Sequence, residues 1–75
     1  MLVHFDDLFI KTEEEVLKPK VIIQLDDIVL MPKIHPPLEA LAIDGIPIPE
    51  LKEDLIEVDI EYDRNIVFII KKVVQ

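Results

Sequence analysis

The only glycine of this 75-residue chain follows an aspartate, and the Asp44-Gly45 pair lies between two short aliphatic runs. The aliphatic residues nearest to the pair are Leu41, Ile43, Ile46 and Ile48. Both central residues of a type I′ turn need a positive φ, which glycine takes without steric cost and which aspartate tolerates. The pattern therefore predicts a β-hairpin over residues 38–48.

The clearest strand pattern follows this hairpin, where apolar and acidic residues alternate strictly. The residues of one face are Ile56, Val58, Ile60 and Tyr62, and those of the other face are Glu57, Asp59 and Glu61. A strict period of two is typical of an antiparallel strand with one buried face. The acidic row has two interpretations. One is a solvated face that keeps the chain soluble. The other is an imitation of DNA phosphates, because alternate strand residues lie about 6.5–7 Å apart, close to the distance between phosphates along one DNA strand.

The last strand, residues 66–74, is predicted to return antiparallel to this one after a turn. The predicted register pairs Val58 with Ile70 in the core. It also brings Glu57 opposite Lys71 as a surface ion pair, worth about 0.2–1 kcal/mol.

This last strand is apolar on both faces. Its predicted core residues are Ile66, Phe68 and Ile70, and those of its second face are Val67, Ile69 and Val73. A strand of this kind is usually buried on both faces, so either the N-terminal segment or another subunit is expected to cover the second face. Pro47 and Pro49 lack the N–H groups that a ladder needs and mark a protected edge. The predicted interface comprises Val67, Ile69, Val73, Pro47 and Pro49.

Two segments in the N-terminal part of the chain each have two structural interpretations. Residues 2–10 are predicted to form a strand, although Phe5, Leu8 and Phe9 also fit one face of a helix. Thr12 begins a capping-box pattern that predicts a short helical turn near residues 13–17. The alternative for this second segment is a polar loop between strands.

Two further strands are predicted at residues 21–25 and 28–34, with a turn at Asp26-Asp27 between them. Pro32 places the second of these strands at an edge. Together the patterns predict an all-β fold in one domain, residues 1–75. The expected architecture is a small antiparallel barrel or curled sheet of five to six short strands.

Aliphatic content predicts a partner for this domain. The chain has 13 Ile, 8 Val and 9 Leu, 30 of its 75 residues, whereas a domain of this size buries only about 60% of the surface of its unfolded chain. We therefore expect another protein, or a second copy of the chain, to cover part of this surface.

Charge excludes other kinds of partner. Sixteen acidic residues face eight basic ones, for a net charge of −8, which disfavours binding to nucleic acid or to an anionic membrane. No apolar run approaches the roughly 20 residues of a membrane span, and the N-terminus lacks the basic region of a signal peptide. A soluble, cytoplasmic protein is expected.

Catalytic chemistry is also disfavoured by composition. The chain has no serine and no cysteine, so the usual nucleophiles and thiolate metal ligands are missing. A single glycine rules out a glycine-rich phosphate loop. His4 with Asp6 and Asp7, or with His35, matches no metal-binding spacing. We expect a protein that is not an enzyme and holds no metal or cofactor.

The segment 42–51, AIDGIPIPEL, followed by the strand 55–62, LIEVDIEY, resembles the hairpin and strand of small β-rich bacteriophage virion proteins. The resemblance covers residues 38–62, about a third of the chain, and assigns no functional residue. It implies a structural role in a virion. The function predicted from the sequence is a non-catalytic protein–protein interaction or assembly module, and the alternative is an acidic inhibitor that blocks a nucleic-acid-binding enzyme.

Overall fold

The computed structural model describes residues 1–52 and 54–74, most of which lie in β-strands. In chain order the elements are β1 (Leu2–His4), α1 (Phe5–Leu8), β2 (Phe9–Lys11), β3 (Leu17–Pro19), β4 (Ile22–Leu25), β5 (Ile28–Leu30), a 3₁₀ turn (Leu38–Ala40), β6 (Ala42–Ile43), β7 (Ile46–Pro47), a second 3₁₀ turn (Ile48–Glu50), β8 (Leu55–Tyr62) and β9 (Ile66–Val74). The predicted all-β class is confirmed.

One five-stranded sheet organises the fold, with the strand order β1-β8-β9-β4-β5. The sheet does not close on itself, so of the two predicted architectures the curled sheet is the one observed. All neighbouring strands are antiparallel except β4 and β9, which are parallel. The parallel pair is possible because a long crossover, which includes β5 to β8, separates the two strands in the chain.

A second layer covers one face of this sheet, and we call it the covering layer. It consists of α1, the β2–β3 and β6–β7 hairpins and the two 3₁₀ turns. The core residues from the sheet are Val3, Ile23, Leu25, Leu30, Ile56, Val58 and Ile70, and those from the covering layer are Phe5, Leu8, Phe9, Leu17, Leu38, Ile43, Ile48 and Leu51. In the part of the chain that the structure describes, no polar side chain is buried. The single core therefore lies between two layers.

The N-terminal segment alternates between strand and helix. The prediction of one strand over residues 2–10 is wrong, because α1 interrupts it for one turn. That turn directs Phe5, Leu8 and Phe9 into the core, as the helical alternative required. A continuous strand would have sent Leu8 to the opposite side from the two rings. No helix in the described residues is long and apolar enough to cross a membrane.

The prediction of a helical turn near residues 13–17 is also wrong. This segment is the loop of the β2–β3 hairpin, so the polar-loop alternative is confirmed. The Thr12 hydroxyl accepts a hydrogen bond from the Val16 backbone N–H, at 3.1 Å, and Glu15 takes a positive φ of 63°. Lys18 and Pro19 then pair in β3, where their extended backbone is incompatible with a continuing helix.

The β4–β5 hairpin matches its prediction except in length. Asp26 takes a φ of 53° in the turn, and β5 is an edge strand as Pro32 predicted. The strand ends at Leu30, before the proline. Beyond it, Met31 and Ile34 exchange two backbone N–H···O bonds of 3.0 and 3.2 Å, so the chain folds back on itself at the sheet edge.

The Asp44-Gly45 turn confirms the prediction made from the only glycine. The two residues have φ values of 53° and 77°, the positive values that a type I′ turn requires. The paired arms, β6 and β7, are only two residues long. Pro47 and Pro49 explain the short second arm, because neither can donate to a ladder.

We expect Gly45→Val to destabilise the protein more than any other surface substitution. An added Cβ would meet no atom within 4 Å, so the whole effect comes from forcing a β-branched residue to positive φ. The cost should be about 1–2 kcal/mol, which corresponds to a fall in Tm of roughly 5–15 °C. Gly45→Asn is the matched control, because asparagine tolerates this conformation. Equal Tm values for the two variants would contradict the backbone explanation.

Candidate protein interface

The face of the five-stranded sheet that points away from the core, which we call the open face, carries a band of apolar side chains. The band comprises Val67, Ile69, Ile22 and Val29 on β9, β4 and β5, and Leu2, Leu55 and Val74 form a second apolar group, which Glu57 and Lys72 separate from the band. Leu2 is 51% and Val29 48% exposed, and the others are half-buried. No described element packs over this face, so its aliphatic groups contact water.

Val67 and Ile69 lie at the centre of the open face, on β9. Their strand is paired on both sides, with β8 and β4, so its backbone is satisfied while these side chains stay half-buried. Ile22 of β4 lies directly beside Val67. The predicted cover by the N-terminal segment is not observed, because β1 joins the edge of the same sheet and lies next to β8.

The apolar band continues past β4 to the edge of the sheet. There Ile22, Met31 and Ile34 line a shallow depression of about 380 Å³, together with Pro32 and Lys33. Ile34 is 74% exposed. The apolar surface therefore runs from the middle of the open face to the fold-back that follows β5.

The acidic row of β8 borders this apolar band. Glu61 is opposite Val67, and Asp59 is opposite Ile69. Asp59 also forms an ion pair with Lys71, with 3.2 Å between Oδ2 and Nζ. Both partners are well exposed, so this pair contributes at most about 1 kcal/mol.

A β-bulge in β9 changes the predicted register. The pairing of Val58 with Ile70 is confirmed, but the bulge then places Glu57 opposite Lys72 instead of Lys71. Lys71 is the extra residue, and its ammonium reaches Asp59. The prediction of a Glu57–Lys71 pair is therefore wrong, because a period of two was assumed for the whole strand.

The same bulge moves Val73 to the other face. Val73 pairs with Ile56 and packs against the core. The prediction that Val73 shares a face with Val67 and Ile69 is wrong, since the extra residue reverses the alternation that follows it. In the sequence, the only sign of this reversal is that two adjacent lysines, Lys71 and Lys72, precede Val73 and Val74.

Pro47 and Pro49 lie away from the open face. Both belong to the covering layer, where Pro47 is exposed and Pro49 half-buried. The five residues of the predicted interface therefore do not form one surface. Only Val67 and Ile69 remain together, joined by apolar neighbours that the sequence did not single out.

The edges of the sheet offer little to a partner strand. At β5, Leu25 and Ile28 flank a two-residue turn and form a hydrogen-bonded pair. The N–H and C=O of the next residue, Val29, therefore point away from β4. The outward groups of Met31 are already bonded to Ile34. At β1, the outward N–H of His4 already donates to the Asp7 carboxylate, at 2.8 Å. A partner is better accommodated on the open face than at an edge.

The described residues contain no arrangement suited to metal-dependent chemistry. Within residues 1–52 and 54–74, no three His, Asp or Glu side chains lie close enough together to hold a metal ion. His35 is bonded through its ring Nδ1 to the Pro36 carbonyl, at 2.8 Å.

No family model, no curated protein and no solved structure matches this chain. The open face is therefore the main candidate site.

Asp44 has a second role that sequence analysis missed. Its carboxylate Oδ2 accepts a hydrogen bond from the backbone N–H of Val73, at 2.6 Å. This bond joins the hairpin turn of the covering layer to β9 just after the bulge. The two residues are 29 positions apart, so no local pattern could reveal the contact.

We expect Asp44→Gly to lower the free energy of unfolding by about 1 kcal/mol, the usual net value of one hydrogen bond. Glycine keeps the positive φ and removes only the acceptor. Asp44→Asn, which keeps both, should stay close to the wild type. Urea unfolding gives the stabilities, and hydrogen exchange of the Val73 amide tests the bond directly. Unchanged protection of that amide in Asp44→Gly would show that the carboxylate does not hold it.

Proposed function

We propose that this protein is a non-catalytic assembly module that associates with a second copy of itself through the open face. The observation that carries this proposal is the exposure of Val67 and Ile69 at the centre of the sheet, where no described element covers them. Burial of apolar surface stabilises a contact by about 25 cal/mol per Å². Val67 and Ile69 are only partly buried, so a contact that covers them would gain the energy of the surface they still expose.

Self-association is supported by the distribution of charge on the open face. A two-fold contact uses the same patch on both copies, so the patch must complement itself. The open face carries both signs side by side, carboxylates on β8 and the ammonium groups of Lys71 and Lys72 on β9. The molecule measures 32 × 29 × 20 Å, and its broad side can supply the roughly 800 Å² per partner of a standard interface.

A structural role in a virion is the more specific form of this proposal. It is supported by the resemblance of segments 42–51 and 55–62 to small β-rich bacteriophage virion proteins. Virion components act by repeated contacts between copies and need no catalytic group. Such a protein would be found in the host cytoplasm and in the particle.

The alternative, an acidic inhibitor that imitates DNA, has weaker support. Such a protein would present carboxylates free to meet a cationic site. Here Lys71 already pairs with Asp59, and Lys72 lies opposite Glu57. We therefore interpret the acidic row as a solvated border of the apolar band.

We expect Ile69→Lys to abolish self-association, because it places a charge at the centre of the contact. Val67→Lys should act in the same way. Val16→Lys is the control, since Val16 is also accessible to solvent, at 48% exposed, but lies in the β2–β3 loop. Sedimentation velocity should be measured up to about 1 mM, where a contact worth about 4 kcal/mol is still detected. A wild type that stays monomeric at that concentration, or an Ile69→Lys variant that still associates, would contradict the proposal.

Self-association of the wild type should strengthen with salt. Each copy carries a net charge of −8, and a change from about 0.01 to 0.15 M salt shortens the Debye length from about 30 to 8 Å. The triple variant Glu57→Gln, Asp59→Asn, Glu61→Gln should be less soluble and should associate within a few-fold of the wild type. Association that weakens with salt and disappears in the triple variant would show that ion pairs, and not the apolar side chains, hold the copies together, and would contradict the proposal.

A further inference from the structure

A cavity of about 480 Å³ opens in the covering layer, on the side of the molecule away from the open face. It lies between α1, the β2–β3 hairpin and Lys52, which follows the second 3₁₀ turn. Its volume falls in the range of small-molecule sites, about 300–1,000 Å³. The proposed self-association does not involve this region.

The inside of the cavity is apolar. Phe5, Phe9 and Leu17 form its floor, and each is more than nine-tenths buried. The two rings are 5.0 Å apart between centroids and tilted by 33°. Ile10 provides a wall and is 48% exposed, although it lies in a strand that packs on the core. Ile10 therefore provides most of the apolar surface open to the hydrocarbon part of a ligand, and the three buried residues support it from below.

The rim of the cavity is cationic in an otherwise acidic protein. Lys11, Lys20 and Lys52 line it, three of the seven lysines of the chain. Asp6 is the only acidic residue among the described lining residues. Lys20 is held in place, because its backbone N–H donates to the Leu8 carbonyl at 2.7 Å and its ammonium to the Asp6 carbonyl at 3.4 Å.

These lysines lack carboxylate partners within the described part of the chain. The ion pair found there joins Lys71 to Asp59, in the other layer. With a net charge of −8, the protein has many carboxylates on its surface, yet none of the described ones forms an ion pair with these three lysines. Positive charge is therefore concentrated where the surface is also apolar and concave.

We infer that this cavity binds a small amphiphile with a carboxylate head and an aliphatic body, such as a medium-length fatty acid. The three ammonium groups complement the head, and the floor with Ile10 accepts the chain. A neutral hydrocarbon would leave the cationic rim unused. A polyphosphate would leave the apolar floor unused, so a ligand with both parts matches the cavity best.

Decanoate and decanol, titrated below their aggregation concentrations, provide a matched pair of probes that differ in the head group. Chemical shifts of the wild-type protein should move at Phe5, Phe9, Ile10 and Leu17 with decanoate, and decanol should bind at least about tenfold more weakly. Shifts confined to the open face, or equal affinity for the two probes, would overturn the inference.

Variants locate the charge. The triple variant Lys11→Gln, Lys20→Gln, Lys52→Gln should weaken decanoate binding by at least about tenfold. Arg64→Glu, Asn65→Asp changes the net charge equally, in the β8–β9 turn, and should bind as the wild type does. Ile10→Glu gives an independent test, because it adds a repelling charge to the wall and should also weaken binding. Similar affinities of the two charge variants, or full binding by Ile10→Glu, would contradict the inference.

Discussion

Burial of aliphatic and aromatic side chains between one face of the sheet and the covering layer is the interaction on which this fold depends. The chain has no disulfide, its single α-helix in the described residues is one turn long, and most strands are two to four residues long. None of these elements is stable alone. A fully buried Leu, Ile or Phe side chain contributes about 1.5–3 kcal/mol, and the core holds fifteen buried hydrophobic residues. The segments of the covering layer form because they complete that core.

This arrangement also explains why the open face exists. The covering layer contains all the elements outside the five-stranded sheet, and it packs on one side only. The central strand β9 therefore meets the core with Phe68 and Ile70 and water with Val67 and Ile69. The bulge at Lys71 then returns Val73 to the core. Without this extra residue, the alternation of β9 would direct Lys72 to the core and Val73 to the open face.

The features that sequence analysis predicted correctly depend on neighbours in the chain. The Asp44-Gly45 turn follows from the φ preferences of two residues, and the faces of β8 follow from strict alternation, although the predicted core pair at its end, Tyr62 and Ile66, is 75% and 52% exposed. The missed features depend on distant contacts. Packing of Phe5, Leu8 and Phe9 decides the helical turn of α1, and the Asp44–Val73 bond and the cluster of three lysines join remote segments. A register prediction cannot include a bulge that no local residue requires, so Val73 was assigned to the wrong face and Lys71 to the wrong partner.

The fold-back of Met31 onto Ile34 has a consequence for the size of any assembly. Sheets that expose long free edges add strands without limit and grow into fibres. Here the fold-back follows β5, the strand at one edge of the sheet. At the opposite edge, β1 is only three residues long. Copies that meet through their open faces bury this apolar surface in a single contact. Under the proposed self-association, growth therefore stops at a closed pair of copies.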